Sequence, residues 1–238
     1  HRGRRGRPVP LAARVAAAFD AGRPLLIEVG TCCGKTVAYL APLLSRLASG
    51  GGRGVVATHT RALQAQILER DLPRLRPLFP GVSARLLMGR RNYLCQRRKL
   101  RFLARANDSF AAAAAQAAFR LWLAATEEGL REELAEHPFL AAHLAELFDS
   151  PEPCSPSVCH ADGECFVVRA RRLAREADLV IVNHSLLMND FAAGRTLIGP
   201  YARLVVDEAH RLPQAALETQ GVRLDLVRLA VIEELLGE

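Results

Sequence analysis

The stretch EVGTCCGKTVAY (28–39) decides the fold, because it joins the end of an apolar run to a GKT sequence that opens a helical pattern. In a P-loop, backbone N–H groups surround a phosphate at a helix N-terminus, a lysine reaches the β- and γ-phosphates, and a hydroxyl holds Mg²⁺. The sequence therefore predicts a strand at 25–29, a loop at 30–34, and a helix that begins with Lys35 and Thr36. Taken alone, these letters are explained equally well by a chance GKT in a turn before a helix.

Several short apolar runs rich in β-branched residues end abruptly in polar residues. They are LLIEV (25–29), GVVATH (54–59), ARLLMG (84–89), LVIVNH (179–184) and LVVDEAH (204–210). Helical patterns lie between them, including VAYLAPLLSRLA after the GKT and ALQAQILERDLPRL after Thr60. Alternating strands and helices with polar residues at the strand ends predict an α/β fold built on a parallel, doubly wound sheet.

A pair of carboxylates strengthens the nucleotide interpretation. Asp207 and Glu208 end the last of these runs. In an ATPase the first carboxylate holds Mg²⁺ through water, and the second polarises the attacking water. An acidic turn after a buried strand is the plainer explanation of Asp-Glu. Because GKT and DEAH each follow a predicted strand, they support one another, and together they predict a site for ATP and Mg²⁺.

Composition places the chain among globular proteins with a polyanionic partner. It has 238 residues, half of them apolar, and a formal net charge of +7. No apolar run reaches the roughly 18 residues that a membrane span requires. Near the N-terminus, Leu11, Val15 and Phe19 recur at helical spacing, which predicts an amphipathic helix and not a signal peptide. We expect a cytoplasmic protein.

An interval of different composition interrupts the strand–helix repeat. It runs from 92 to 175 and holds a helical block rich in Ala, Leu and Glu, followed by the turn-rich stretch SPEPCSPSVCHADGEC. We therefore predict one sheet domain in two parts, 1–91 and 176–212, with 92–175 inserted between them. Residues 213–238 are expected to begin a further helical insertion.

Four cysteines in this interval predict a metal centre. Cys154, Cys159 and Cys165 are spaced C-x4-C-x5-C, and Cys95 lies far upstream. Disulfides are rare in cytoplasmic proteins, whereas zinc and iron–sulfur clusters both take four thiolates. Zinc sites more often pair two close knuckles, and Cys95 has no knuckle partner. The spacing leans mildly to iron–sulfur and leaves zinc open.

Basic residues flank both ends of the cysteine interval and predict contact with DNA phosphates. A neighbouring aromatic residue, Tyr93 or Phe166, is expected to stack on a base. Solvated helix faces are the plainer interpretation of such runs. The basic residues assigned to DNA are Arg90, Arg91, Arg97, Arg98, Arg169 and Arg172.

Four further stretches carry a family resemblance. ATHTRALQAQ (57–66), GRRNYLC (89–95), IVNHSLL (181–187) and VVDEAHRLP (205–213) occur in this order over nearly the whole chain. Together with GKT they resemble the first motor domain of a superfamily 2 helicase, specifically the XPD/DinG group of iron–sulfur DNA helicases.

The resemblance implies a RecA-like P-loop domain with an inserted, mainly helical iron–sulfur domain. It implies ATP hydrolysis, translocation 5′ to 3′ on single-stranded or branched DNA, a role in DNA repair, and a monomer. It also implies a [4Fe–4S] cluster on Cys95, Cys154, Cys159 and Cys165. The implied catalytic residues are Lys35, Thr36, Asp207, Glu208 and His210, and the implied ATP and Mg²⁺ contacts are Gly30, Thr31, Cys32, Cys33, Gly34, Lys35, Thr36 and Asp207.

The phosphate loop departs from the family pattern, which reads like EAGTGTGKT. Val29, Cys32 and Cys33 replace Ala, Gly and Thr. A side chain at Cys32 crowds a backbone that must approach phosphate closely, so we expect an altered or weakened ATP site. The sequence has no initiator Met and ends at Glu238, so we expect the N-terminal motor half, unable to unwind DNA alone. The alternatives are a non-catalytic DNA-binding iron–sulfur module and a zinc-stabilised P-loop protein without a nucleic-acid role.

Overall fold

A parallel sheet organises the fold. The computed structural model describes residues 8–30, 34–106, 108–149 and 165–220. Within these residues the sheet has four strands in the order β2-β3-β1-β4. The strands are β1 Gly54–Thr58, β2 Ala84–Leu86, β3 Leu179–Asn183 and β4 Arg203–Val206. Gly54 pairs with Leu179 on one side and with Arg203 on the other, so β1 lies at the centre.

Helices cover both faces of this sheet. They are α1 Pro8–Ala21, α2 Lys35–Ala48, α3 Arg61–Ala65, α4 Leu72–Leu75, α5 Gln96–Leu103, α6 Phe110–Ala125, α7 Leu144–Phe148, α8 Phe166–Glu176, α9 His184–Ala192 and α10 Leu212–Gln220. A π-helical turn, Gln66–Asp71, joins α3 to α4. Among the described residues, no helix is both long enough and apolar enough to cross a bilayer.

The two faces of β1 belong to two different cores, because side chains alternate along a strand. Val56 packs with residues of α2 and with Ile181 on one face. Val55 and Ala57 pack on the other face with Val182 and with residues of α8, α9 and α10. Burying such a side chain contributes about 1.5–3 kcal/mol. A parallel strand covered on both faces therefore reads as an unbroken apolar run.

A third apolar core lies in the chain between β2 and β3. It is formed by α5, α6 and α7, and the rings of Phe102 and Phe119 meet edge to face with centroids 5.0 Å apart. Ser109 caps α6 by accepting a hydrogen bond from the Ala112 amide at 3.1 Å. The helical block predicted in this interval is therefore present, and the exact domain bounds stay a prediction.

Four of the five predicted strands are present, and the strand predicted at 25–29 is wrong. Residues 24–30 form no regular element, and the side chain of Leu26 is 89% exposed. A strand exists only where a neighbour completes its hydrogen bonds. Within the described residues, β4 forms strand pairs with β1 alone. The free edge of β4 therefore does not hydrogen-bond to residues 25–29 as a neighbouring strand would.

Arg53 ties the start of β1 to the segments beside it. Its guanidinium donates to the carbonyl oxygens of Ala177 at 3.0 Å, Ala174 at 2.7 Å and Ile198 at 3.2 Å. It also donates to the carbonyl of Pro200. Burial lowers the pKa of Arg53, yet the side chain stays charged at neutral pH because an arginine pKa begins so high. Arg53 thus links the start of β1 to the segments that precede β3 and β4.

Candidate active site

The carboxylates and the lysine of the predicted nucleotide site meet at the carboxyl ends of the strands. The amide of Asp207 donates to the carbonyl of Ala57 at 2.9 Å, which extends the β4–β1 ladder by one residue. Asp207 is thereby held at the sheet edge, 5% exposed. Lys35 begins α2, and its Nζ lies 3.1 Å from Oδ1 of Asp207 and also contacts Oε1 of Glu208. One cation thus bridges two neighbouring carboxylates.

The charges of this cluster reinforce one another. Burial opposes the charged form of Lys35, but the hydrogen bonds and charges of Glu208 and Asp207 outweigh it and raise the lysine pKa. The hydrogen bond from Lys35 lowers the pKa of Glu208. At neutral pH the lysine is protonated and Glu208 is a carboxylate, and this residue is the more exposed of the two acids.

Tyr39 is a site residue that the sequence analysis missed. Its hydroxyl donates to Oδ2 of Asp207 at 3.2 Å, and the ring is buried. Burial raises the pKa of Tyr39, the charge of Asp207 raises it further, and the Thr36 hydroxyl opposes the shift. Tyr39 lies four residues after Lys35, so both point from one face of α2. That spacing was the available signal.

Glu208 has an unusual backbone conformation for a residue with a side chain. Its φ is 54°, in the left-handed region, which costs roughly 1–2 kcal/mol. The amide of Glu208 donates to Oδ1 of Asp207 at 2.9 Å, and its carbonyl accepts from the amide of Arg211 at 2.9 Å. His210 follows in the next turn, largely exposed, with Nδ1 3.5 Å from Oε2 of Glu208. Local hydrogen bonds therefore support the strained turn.

The start of α2 fits a phosphate group. Gly34 precedes the helix with φ 74°, a conformation that favours glycine, and has no side chain to cap the first amides. Gly30 is exposed at the other end of the loop. Thr31, Cys32 and Cys33 lie outside the described residues, so their predicted roles stay predictions. The carboxylate oxygens of Asp207 and the hydroxyl of Thr36 are ligands that Mg²⁺ prefers.

Two of the four predicted cluster cysteines are described, and they lie near one turn. Cys95 precedes α5 and Cys165 precedes α8, so each lies at a helix N-terminus. The amide of Leu94 donates to the carbonyl of Gly129 at 2.8 Å, and the Phe166 ring packs against the same glycine. Cys154 and Cys159 lie outside the described residues. Within the part that the structure describes, no three ligand residues form a metal site.

Tyr93 requires a correction, because it is not presented to solvent. Its ring is 3% exposed and packs with Met88 and Leu130, and its hydroxyl accepts from the Met88 amide at 3.1 Å. Burial raises its pKa to about 12. Phe166 is also partly buried, against Gly129. The Tyr93 ring is therefore not available to stack on a base in this structure, and stacking by Phe166 stays a prediction.

The predicted DNA-contacting arginines divide into two groups. Arg98 donates to the carbonyl of Glu146 at 2.8 Å and Arg169 to that of Glu127 at 2.9 Å. Arg172 lies 3.2 Å from Glu176 on α8. Those three contact the protein itself, and Arg97 is half-buried. Arg90 and Arg91 are exposed in a 3₁₀ turn after β2, and the α8 residues Val167 and Ala170 pack against the Met88–Tyr93–Leu130 cluster that adjoins this turn.

Comparison with known proteins identifies the family. The family model of the DEAD/DEAH box helicases matches residues 10–110. The chain is 35% identical over 227 residues to the ATP-dependent DNA helicase YoaA of Haemophilus influenzae, covering 92% of this chain and 35% of that protein. It is 34% identical over 241 residues to the ATP-dependent helicase DinG of Mycobacterium tuberculosis, covering 93% and 36%.

A third relative has a different name. The 3′-5′ exonuclease DinG of Bacillus subtilis is 33% identical over 219 residues, covering 90% of this chain and 23% of the relative. The chain thus spans 35%, 36% and 23% of the length of these three relatives. Its parallel sheet, with helices on both faces, fits a RecA-like α/β domain. The chain thus contains a DEAD/DEAH box helicase domain and is related to the N-terminal portion of DinG-type helicases.

Proposed function

We propose that this chain is the N-terminal motor half of an ATP-dependent DNA helicase. The contact of Lys35 with Asp207 and Glu208 carries the proposal. It places one cation and two carboxylates at the carboxyl ends of parallel strands, beside a glycine-led helix N-terminus, where α/β proteins bind nucleotides. By family resemblance, translocation runs 5′ to 3′ on single-stranded DNA.

Each residue of the cluster has a role in this proposal. Lys35 binds phosphate charge, and its present carboxylate partners keep it protonated for that task. Asp207 and Thr36 would supply oxygen ligands for Mg²⁺, which would contribute charge stabilisation at the phosphate. Glu208, partly exposed and deprotonated, orients water and accepts its proton. His210 lies beside Glu208, and its side chain is largely exposed at the site.

Hydrolysis of ATP by the full-length protein tests the proposal. We expect turnover stimulated by single-stranded DNA, and a loss of about 10²-fold or more for Lys35→Met and Glu208→Gln, because each removes charge at the reacting phosphate. The matched control is Glu218→Gln, on the exposed side of α10, which should keep normal turnover. Wild-type protein that binds DNA but hydrolyses no ATP would support the non-catalytic module instead.

We further propose that Cys95, Cys154, Cys159 and Cys165 hold a [4Fe–4S] cluster. The support is that Leu94 and Phe166, which adjoin the two described cysteines in the chain, both contact Gly129. Anaerobically purified protein should contain iron and sulfide, and Cys95→Ser or Cys165→Ser should lose both. Cys33→Ser is the matched control and should retain iron. Stoichiometric zinc without iron would refute the cluster and favour the zinc alternative.

The DNA contact is proposed for the turn that carries Arg90 and Arg91, where the two basic segments meet. Binding to single-stranded and branched DNA should weaken steeply with salt, because arginine–phosphate contacts release counterions. Reversing both charges to Glu should weaken binding to all sequences and flatten the salt dependence by about two in slope. Arg14→Glu, exposed on α1, is the control. An unchanged slope would show that these arginines form a solvated face.

A further inference from the structure

The peptide group between Asp207 and Glu208 is held at both polar ends. On one side, the amide of Glu208 donates to Oδ1 of Asp207 at 2.9 Å. On the other, the carbonyl oxygen of Asp207 lies 2.8 Å from Nε2 of His184. Because this single peptide sets the left-handed turn at Glu208, its orientation decides where the Glu208 carboxylate points. A rotation of the peptide would carry that carboxylate away from Lys35.

His184 reaches this carbonyl from a different part of the sheet. It is the first residue of α9, directly after β3, whereas Asp207 follows β4. The central strand β1 lies between β3 and β4, so the imidazole crosses the end of β1. The ring of His59, which follows β1, stands against it with centroids 5.8 Å apart. One side chain therefore ties together the carboxyl ends of three strands.

The geometry defines the state of the imidazole. A carbonyl oxygen only accepts hydrogen bonds, so Nε2 carries the proton. His184 is 1% exposed, so the imidazole is enclosed by protein. Asn183 fixes the start of α9 by accepting from the Leu186 amide at 2.8 Å, which holds the backbone of His184 in place. The contact is thus built on rigid elements at both ends.

We propose that His184 is a positioning residue for ATP hydrolysis, holding the Asp207–Glu208 peptide so that Glu208 faces the reacting water. This role rests on the proposed ATPase function. His184 is buried and acts through the carbonyl of Asp207. It should therefore influence turnover and leave nucleotide affinity, which depends on Lys35 and α2, nearly unchanged.

Two amide substitutions in the full-length protein separate positioning from simple packing. In His184→Gln the side-chain amide reaches the place of Nε2 and can still donate to Asp207. In His184→Asn the amide reaches only the place of Nδ1. We expect kcat to fall about 10- to 100-fold for Asn, with little change in KM for ATP, and to be largely rescued in Gln. His137→Gln, in the helical insertion, controls for the substitution itself.

Amide hydrogen exchange over residues 205–211 provides a readout independent of activity. The Asn variant should exchange about tenfold faster at Glu208 and Arg211, and the Gln variant should match wild type. Unchanged exchange in Asn, or accelerated exchange without loss of kcat, would overturn the role of His184. A folded Gln variant with wild-type exchange and low kcat would also overturn the role of His184. If the Asn variant does not fold, the Gln variant alone provides the test. Wild-type protein that hydrolyses no ATP refutes the proposed function, while exchange still reports on the contact.

Discussion

The hydrogen bond from Tyr39 to Asp207 should make a measurable contribution to stability. Both groups are buried, at 6% and 5% exposure, and the acceptor is a carboxylate. A hydrogen bond to a charged group contributes about 1.5–3 kcal/mol. Asp207 keeps two other donors, Lys35 and the Glu208 amide, when the hydroxyl is removed. We therefore expect Tyr39→Phe to lower the free energy of unfolding by the lower end of that range, about 1.5 kcal/mol.

Tyr201 offers a matched control for the loss of a hydroxyl. Its hydroxyl oxygen is also buried, but within the described residues it has no hydrogen-bond partner. Tyr201→Phe removes an unsatisfied polar atom and leaves the ring in place beside Arg195. The free energy of unfolding should therefore change by less than about 0.5 kcal/mol, or rise.

Urea unfolding of the chain, followed by circular dichroism, measures both variants. The change in midpoint multiplied by the common m-value gives each free-energy difference. A loss for Tyr39→Phe that exceeds the Tyr201→Phe change by about 1 kcal/mol supports the reasoning. Equal free-energy changes in the two variants would refute the reasoning. The hydrogen bond to Asp207 would then contribute no more to stability than the unpaired hydroxyl of Tyr201.

Three further predictions concern charge, backbone and anchoring. Lys35 lowers the pKa of Glu208 below its ordinary value of 4.5, and the neighbouring carboxylates raise the pKa of Lys35 above its ordinary value of 10.5. The ion pair therefore stabilises the folded state fully between pH 4.5 and pH 10.5. It is lost as pH falls through the lowered value or rises through the raised one, so the melting-temperature gap between wild type and Lys35→Met should shrink at both extremes. Gly129→Ala should destabilise the helical insertion by more than about 2 kcal/mol in urea unfolding, because φ is 63° and the new Cβ would lie 2.6 Å from the Phe166 ring. Arg53→Lys should lower the melting temperature, since a single ammonium cannot replace a guanidinium that serves four carbonyls on two segments; an unchanged value would contradict the anchoring role.

The sheet and the charged core of the site could be predicted from local sequence. Apolar runs that end in polar residues mark buried parallel strands, and the carboxyl ends of such strands meet at one edge. Lys35, Asp207 and Glu208 were therefore expected together, and they are in contact. The helical spacing of apolar residues near the N-terminus likewise predicted the amphipathic helix. Two of these residues, Val15 and Phe19, pack against the core beside the sheet.

Only the tertiary structure decided which polar and aromatic groups complete the site. Tyr39 reaches Asp207 from the helix face that it shares with Lys35, and His184 reaches it from another strand end; folding brings both within hydrogen-bond distance. Tyr93 lies in a basic segment that the sequence predicts to contact DNA. Its ring is nevertheless buried, because Met88 and Leu130 pack around it.

The segment 25–29 shows the same limit for the backbone. Its residues have strand-like composition, but they form no strand, since a strand is defined by hydrogen bonds to a neighbour that lies elsewhere in the chain. Periodicity is a property of consecutive residues, so the sequence by itself determined four of the five predicted strands and their buried faces. Pairing, burial of single polar groups and the orientation of the Glu208 turn depend on residues far apart in the chain, and folding alone brings these together.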